Sequence, residues 1–183
     1  LLIICSIGVP LNGIVIWLLG FQMKRNPFTV LILNLAIADF GFLILMTVYC
    51  IDDFIHILQS RILQKIFFSL SDVTYINGLF LLTAISIDRC VAVLFPIWHR
   101  CSRPKYLSPA VCIFLWIFSS LLTENLFDAN ELDFYLSPSA SLNSSINPVI
   151  YFLVGRKKRP QSRESIKVIF QRVFREDEAP ETR

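Results

Sequence analysis

Two kinds of polar residue interrupt the apolar runs of this sequence, and each brings its own chemistry. In "LLTAISIDRCVAVLF" an acid and a guanidinium, Asp88 and Arg89, stand side by side near the end of a long apolar stretch. A neighbouring carboxylate offsets the desolvation of a guanidinium, and such a pair at the edge of a low-dielectric region is a contact that can be released. In "LILNLAIADF" Asn34 and Asp39 lie inside a second apolar stretch, and Asn12 lies inside a third. A buried Asp39 needs a cation, a proton or hydrogen-bond donors. A further stretch, "SLNSSINPVIY", supplies Asn143, Ser144 and Asn147, followed by Pro148, which removes one helical hydrogen bond and frees a carbonyl where a helix can bend. The plainer reading of these groups is mutual satisfaction by hydrogen bonds between helices.

The elements that must position them are set by composition. Of 183 residues, 55% are hydrophobic and only 17% charged, against about 25% charged in an ordinary globular domain. The apolar residues come in long blocks rather than at amphipathic spacing, which makes lipid the solvent. Five blocks read as spans: Leu1–Gly20 with Pro10 as a tolerated kink, Phe28–Tyr49, Ile62–Leu94, the shorter Leu107–Thr123, and the serine- and asparagine-rich Phe134–Val154. The expected fold is all-α, a multi-pass transmembrane helical bundle. The first residue is Leu and the chain opens inside an apolar run with no signal-peptide pattern, so the start reads as cut.

Charge alternates between the connections. Lys24 and Arg25, then Arg100, Arg103 and Lys105, then Arg156–Arg159 are basic, while Asp52 and Asp53 (with Arg61) and Glu124, Asp128, Glu131 and Asp133 fall in the loops between. The positive-inside rule then puts the C-terminal tail in the cytoplasm. His56 and His99 fall on opposite sides of the membrane, so no paired metal or catalytic site uses both. The five cysteines are scattered, without CxxC spacing, and give neither a disulfide framework nor a zinc site. In the tail, Ile166, Ile169, Phe170 and Val173 recur at helical spacing among Arg163, Lys167, Arg172 and Arg175. This predicts an amphipathic helix on the inner leaflet, bound to anionic lipid. Residues 1–154 thus form a transmembrane domain and 155–183 a cytoplasmic tail; nucleic acid is not an expected partner.

Taken together, "LNLAIAD", "SIDRC", Trp116 and "NPVIY" resemble the rhodopsin-like G-protein-coupled receptors, in that order and on spans of matching orientation. "DRC" in place of the commoner "DRY", with "SSINPVIYFLVG" and "WHRCSRPKY", is similar to the Mas-related subfamily. The resemblance implies a receptor, not an enzyme, that senses an extracellular peptide or small molecule and signals through a heterotrimeric G protein at the plasma membrane. It implies that Arg89 turns toward the G-protein α subunit on activation and pairs with Asp88 at rest, and that Asn147, Pro148 and Tyr151 belong to the same switch. Asp39, Asn143, Ser144 and Asn147 match the family's allosteric sodium pocket, the only metal site implied; no other cofactor is expected. Gly78 departs from the pattern, because the family usually supplies a hydroxyl there. Asp72 either faces an amine or basic group of the ligand or is a lipid-edge acid.

The family has seven spans and this chain shows five. "CIFLWIFSSLLTEN" matches the family's fourth helix, and the "NPVIY" segment, which follows almost at once, matches its seventh. The fifth helix, third cytoplasmic loop and sixth helix are expected to be absent. A truncated receptor that pairs with full-length relatives without signalling, and is retained in the endoplasmic reticulum, is the alternative. An ion or proton transporter centred on Asp39 would require internal repeats, which the sequence lacks.

Overall fold

The computed structural model describes residues 2–23, 26–55, 60–94, 104, 106–126 and 140–150. Helix α1 (Leu2–Trp17) carries Pro10 in its interior and runs directly into a π-helical turn, Leu18–Gln22. Helix α2 spans Pro27–Ile55, α3 spans Arg61–Leu94 and α4 spans Leu107–Leu126. Residues 140–150 are helical and form α5. Among the described residues there is no strand, and the protein is an all-α transmembrane bundle.

The start of α2 is written into its sequence. Asn26 caps the helix, its Oδ1 accepting from Thr29 N at 2.7 Å while Asn26 N donates to Thr29 Oγ1 at 2.9 Å. Pro27, with no N–H to satisfy, occupies the first helical position. Hydroxyls inside the spans bond back to their own helices: Thr47 to Leu43 O, Ser71 to Phe67 O, Thr83 to Leu79 O, Ser86 to Leu82 O. These hydroxyls are thereby satisfied where no water is available.

Helix α2 is the centre of the assembly, with 61% of its spanning window buried against 33% for α1 and 28% for α3. Three apolar clusters hold it. Val15, Leu18 and Leu19 meet Phe28, Ile32 and Ala36 across α1 and α2. Cys5 and Ala140 bring α1 and α5 onto Phe42, Leu43 and Met46. Leu31, Leu35 and Ala38 meet Leu81 of α3 and Cys112 of α4. The outer faces are apolar and exposed, as at Ile113, Phe114, Ile117 and Leu121 of α4, which suits contact with lipid.

The first four expected segments fall on α1 to α4 with shifted ends, and the described part of the fifth, residues 140–150, falls on α5. Among the described residues three helices, Leu2–Gln22, Pro27–Asp52 and Arg61–Ala92, are long and apolar enough to cross a membrane, and Leu107–Thr123 is a shorter apolar helix. Helix α2 outruns its expected end at Tyr49 because Cys50, Ile51 and Asp52 continue the helix with no breaker. At 34 residues α3 is roughly 50 Å long, enough to project beyond a ~30 Å core. The tail helix, the basic loop residues Lys24, Arg25, Arg100, Arg103 and Lys105, and the cluster Arg156–Arg159 lie outside the described residues. Cys5, Cys50, Cys90 and Cys112 are free thiols.

Candidate functional site

The polar residues of α1, α2 and α5 converge. Asp39 is buried on α2, and Asn147 Nδ2 donates to its Oδ2 at 2.7 Å across 108 residues of sequence. The side chain of Ser144 adds a second hydrogen bond to the carboxylate. Pro148, one residue beyond Asn147, has no N–H to offer Ser144 O one turn back. Asn12 fills that position: its Nδ2 donates to Ser144 O at 3.0 Å and to Gly8 O at 3.1 Å. The carbonyl freed by proline is therefore bonded to α1, and α5 stays helical through 140–150 rather than breaking. Ser145 Oγ adds a 3.3 Å bond to Ile4 O.

One glycine permits this approach. A Cβ on Gly8 would collide with the Ser145 side chain and with Leu43 Cδ1. On α3, a Cβ at Gly78 would stand 3.5 Å from Asp39 Oδ1, an ordinary van der Waals separation. The position at which the resemblance asks for a hydroxyl therefore does face the carboxylate. An oxygen-ligated cation would be held here by the Asp39 carboxylate and the Ser144 hydroxyl, whereas Asn147 presents its amide N–H and Gly78 presents nothing. Asn143 is half-buried on α5 and Pro148 is buried beside Asn147.

At the opposite end of α3, Asp88 is half-buried and Arg89 exposed. The Arg89 guanidinium lies over the ring of Phe28, with its Cζ 3.7 Å from the centroid. A guanidinium over an aromatic face gains a cation–π attraction of about 0.5–2 kcal/mol, depending on desolvation. Sequence reasoning missed Phe28, which no local signal sets apart from the chain's other phenylalanines. Tyr151 lies outside the described residues. Trp116 of α4 donates from Nε1 to Asn34 Oδ1 at 3.4 Å, while Asn34 Nδ2 bonds to Val30 O at 2.9 Å.

Asp72 is half-buried on α3, apart from the Asp39 cluster. Asn77, fully buried on α3, was not singled out by its sequence context, and neither of its amide atoms has a hydrogen-bond partner. Among the described residues no group of three or more His, Cys, Asp or Glu could hold a metal ion.

Comparison with known proteins agrees with this architecture. The family described as 7 transmembrane receptor (rhodopsin family) matches residues 11–127. The chain is 31% identical to Mas-related G-protein coupled receptor member H of Mus musculus over 268 residues, covering 96% of this chain and 82% of that one. It is 44% identical to member X2 of Macaca mulatta over 124 residues, 67% of this chain and 38% of that receptor. It is 43% identical to the proto-oncogene Mas of Homo sapiens over 126 residues, 66% of this chain and 38% of that protein. The family match and the apolar helices make this chain a multi-pass membrane protein of a receptor family, not an enzyme. The chain belongs to the seven-transmembrane receptors of the rhodopsin family, in their Mas-related branch.

Proposed function

We propose that this chain is an incomplete Mas-related receptor, chemically equipped at its switch residues and short of the helices that a signalling cycle requires. One observation carries the reading. The alignment to member H runs over 268 positions while the chain has 183 residues, so at least 85 of those positions have no counterpart here. That is enough for two spans and a loop. The family match ends at residue 127.

In this reading the Asp88–Arg89 end of α3 faces the heterotrimeric G protein, with Asn147, Pro148 and Tyr151 as the second half of the switch. The Asp52 end faces outward, toward a peptide or small-molecule ligand. The Asp39 cluster, Asn143 included, is the inherited sodium position, weakened by Gly78. The tail binds inner-leaflet lipid. A two-state switch needs two packed states that a ligand can distinguish. The outer faces of α3 and α4 expose Leu79, Ile87, Phe114 and Phe118, which favours association with a longer relative as the second role.

The test is nucleotide exchange. Expressed alone, the chain gives none in response to agonists of intact relatives. Co-expressed with the internal helix pair of member H it regains exchange, and Arg89→Ala abolishes the gain. Agonist-driven exchange by the lone chain would overturn the reading.

A further inference from the structure

The guanidinium of Arg89 rests on a ring that cannot move with it. Phe28 follows Pro27 at the start of α2, and the Asn26–Thr29 cap fixes the backbone on both sides of it. Phe28 is only 8% exposed and belongs to the cluster of Val15, Leu18, Leu19, Ile32 and Ala36. Ile85 of α3 packs against the same cluster. Ile85 and Arg89 are four residues apart on α3, hence on one face of that helix. One ridge of α3 is thus laid along the start of α2, with the Arg89 Cζ 3.7 Å from the Phe28 centroid. Arg89 itself is exposed.

We propose that Phe28 is a positioning residue for Arg89: a fixed aromatic platform that holds the guanidinium against the start of α2, so that Arg89 must leave the ring before it can turn toward a G protein. Three features carry it. The ring is locked in an apolar cluster while Arg89 is a long, exposed side chain, so release of the contact moves the cation and not the ring. A π face attracts a guanidinium without consuming its N–H donors, so the platform adds to the other contacts of Arg89 instead of replacing them. The start of a helix carries partial positive charge, which opposes a cation placed there and keeps the hold releasable. The ring should favour the held position by roughly two- to thirtyfold.

The proposal rests on the receptor reading for what Arg89 turns toward, but its first test reads the side chain and not signalling. The full chain in nanodiscs is prepared with isotope-labelled arginine, and the Arg89 signal is assigned by its loss in Arg89→Lys. The side-chain protons of Arg89 should be shifted upfield by the ring. Phe28→Leu keeps an apolar side chain in the cluster and removes the π face. It should abolish the shift and speed the modification of Arg89 by phenylglyoxal, read by mass spectrometry, by roughly two- to thirtyfold. Phe28→Trp should restore both, and Arg61 at the far end of α3 should react at one rate throughout. An unshifted Arg89 in the parent, or equal modification of Arg89 in the parent and Phe28→Leu, overturns the proposal. An acceleration that Arg61 shares, or that Phe28→Trp does not reverse, reports a loosened cluster and overturns it as well. In the assembly complemented with the helix pair of member H, Phe28→Leu should raise exchange without agonist and Phe28→Trp should not. Failure of that assembly to exchange nucleotide at all counts against the receptor reading and leaves the platform to be decided by the measurements on Arg89.

Discussion

At the scale of single residues, the chemistry of the Asp39 cluster is decided by which atoms face the carboxylate. Asn147 supplies an N–H, Ser144 a hydroxyl and Gly78 no side chain. Removing the amide with Asn147→Ala leaves a buried carboxylate one donor short, which should cost about 1–3 kcal/mol of stability in detergent unfolding. Gly78→Ser should be tolerated, because a Cβ there meets Asp39 Oδ1 only at 3.5 Å. It places an oxygen beside the carboxylate, so replacing choline by sodium should stabilise the Gly78→Ser chain more than the parent. An identical sodium response in the two chains would remove Asp39 as the cation site. Residue types marked the members of this cluster, since amides and an acid in apolar runs need partners, while the resemblance is what grouped them. They did not give away Phe28 beneath Arg89, because a phenylalanine in an apolar chain carries no mark of the cation it will meet. Nor did they give away Asp52, which in sequence is one acid of a polar loop and in the fold completes the end of α2.

At the scale of elements, the contact between α1 and α5 depends on two paired devices. Pro148 frees Ser144 O and Asn12 takes it, while Gly8 lets the backbones come close enough for the bond to form. Asn12→Ala should cost about 0.6 kcal/mol, the average worth of an interhelical bond in a membrane bundle. Gly8→Ala should cost more, about 1–3 kcal/mol, because the added methyl forces Ser145 and Leu43 apart. Unfolding in mixed micelles ranks the two; an Asn12→Ala loss exceeding that of Gly8→Ala would show that the bond and not the close approach holds α5. The spans themselves were legible, because twenty apolar residues have few other uses. Their ends were not. Helix α2 continues to Ile55 because nothing between Tyr49 and Asp52 stops it, and the π-helical turn at Leu18–Gln22 has no sequence signature beyond Gly20. The role of Pro148 was read as a bend; its consequence in the fold is a bond to another helix.

At the scale of the whole molecule, topology follows from charge and parity. Basic residues concentrate at Lys24–Arg25, at Arg100, Arg103 and Lys105, and at Arg156–Arg159, while acids stand between them: Asp52 and Asp53 near the end of α2, Glu124 near the end of α4, and Asp128, Glu131 and Asp133 after it in sequence. In the proposed topology each basic group holds its loop on the cytoplasmic side. On that reading five spans and seven are both odd, so the absence of a pair of helices leaves α5 running in the direction that its family counterpart takes. The two ends of the chain must then lie on opposite sides. Epitopes at the two ends test this even if the protein stays in the endoplasmic reticulum. With digitonin, which opens only the plasma membrane, the C-terminal epitope should label. The N-terminal epitope should label either on intact cells or only after full solubilisation. A C-terminal epitope on intact cells, or an N-terminal one that labels under digitonin and not on intact cells, would overturn the assigned topology: either result alone puts both ends on one side and means an even number of spans, and the two together mean an inverted bundle.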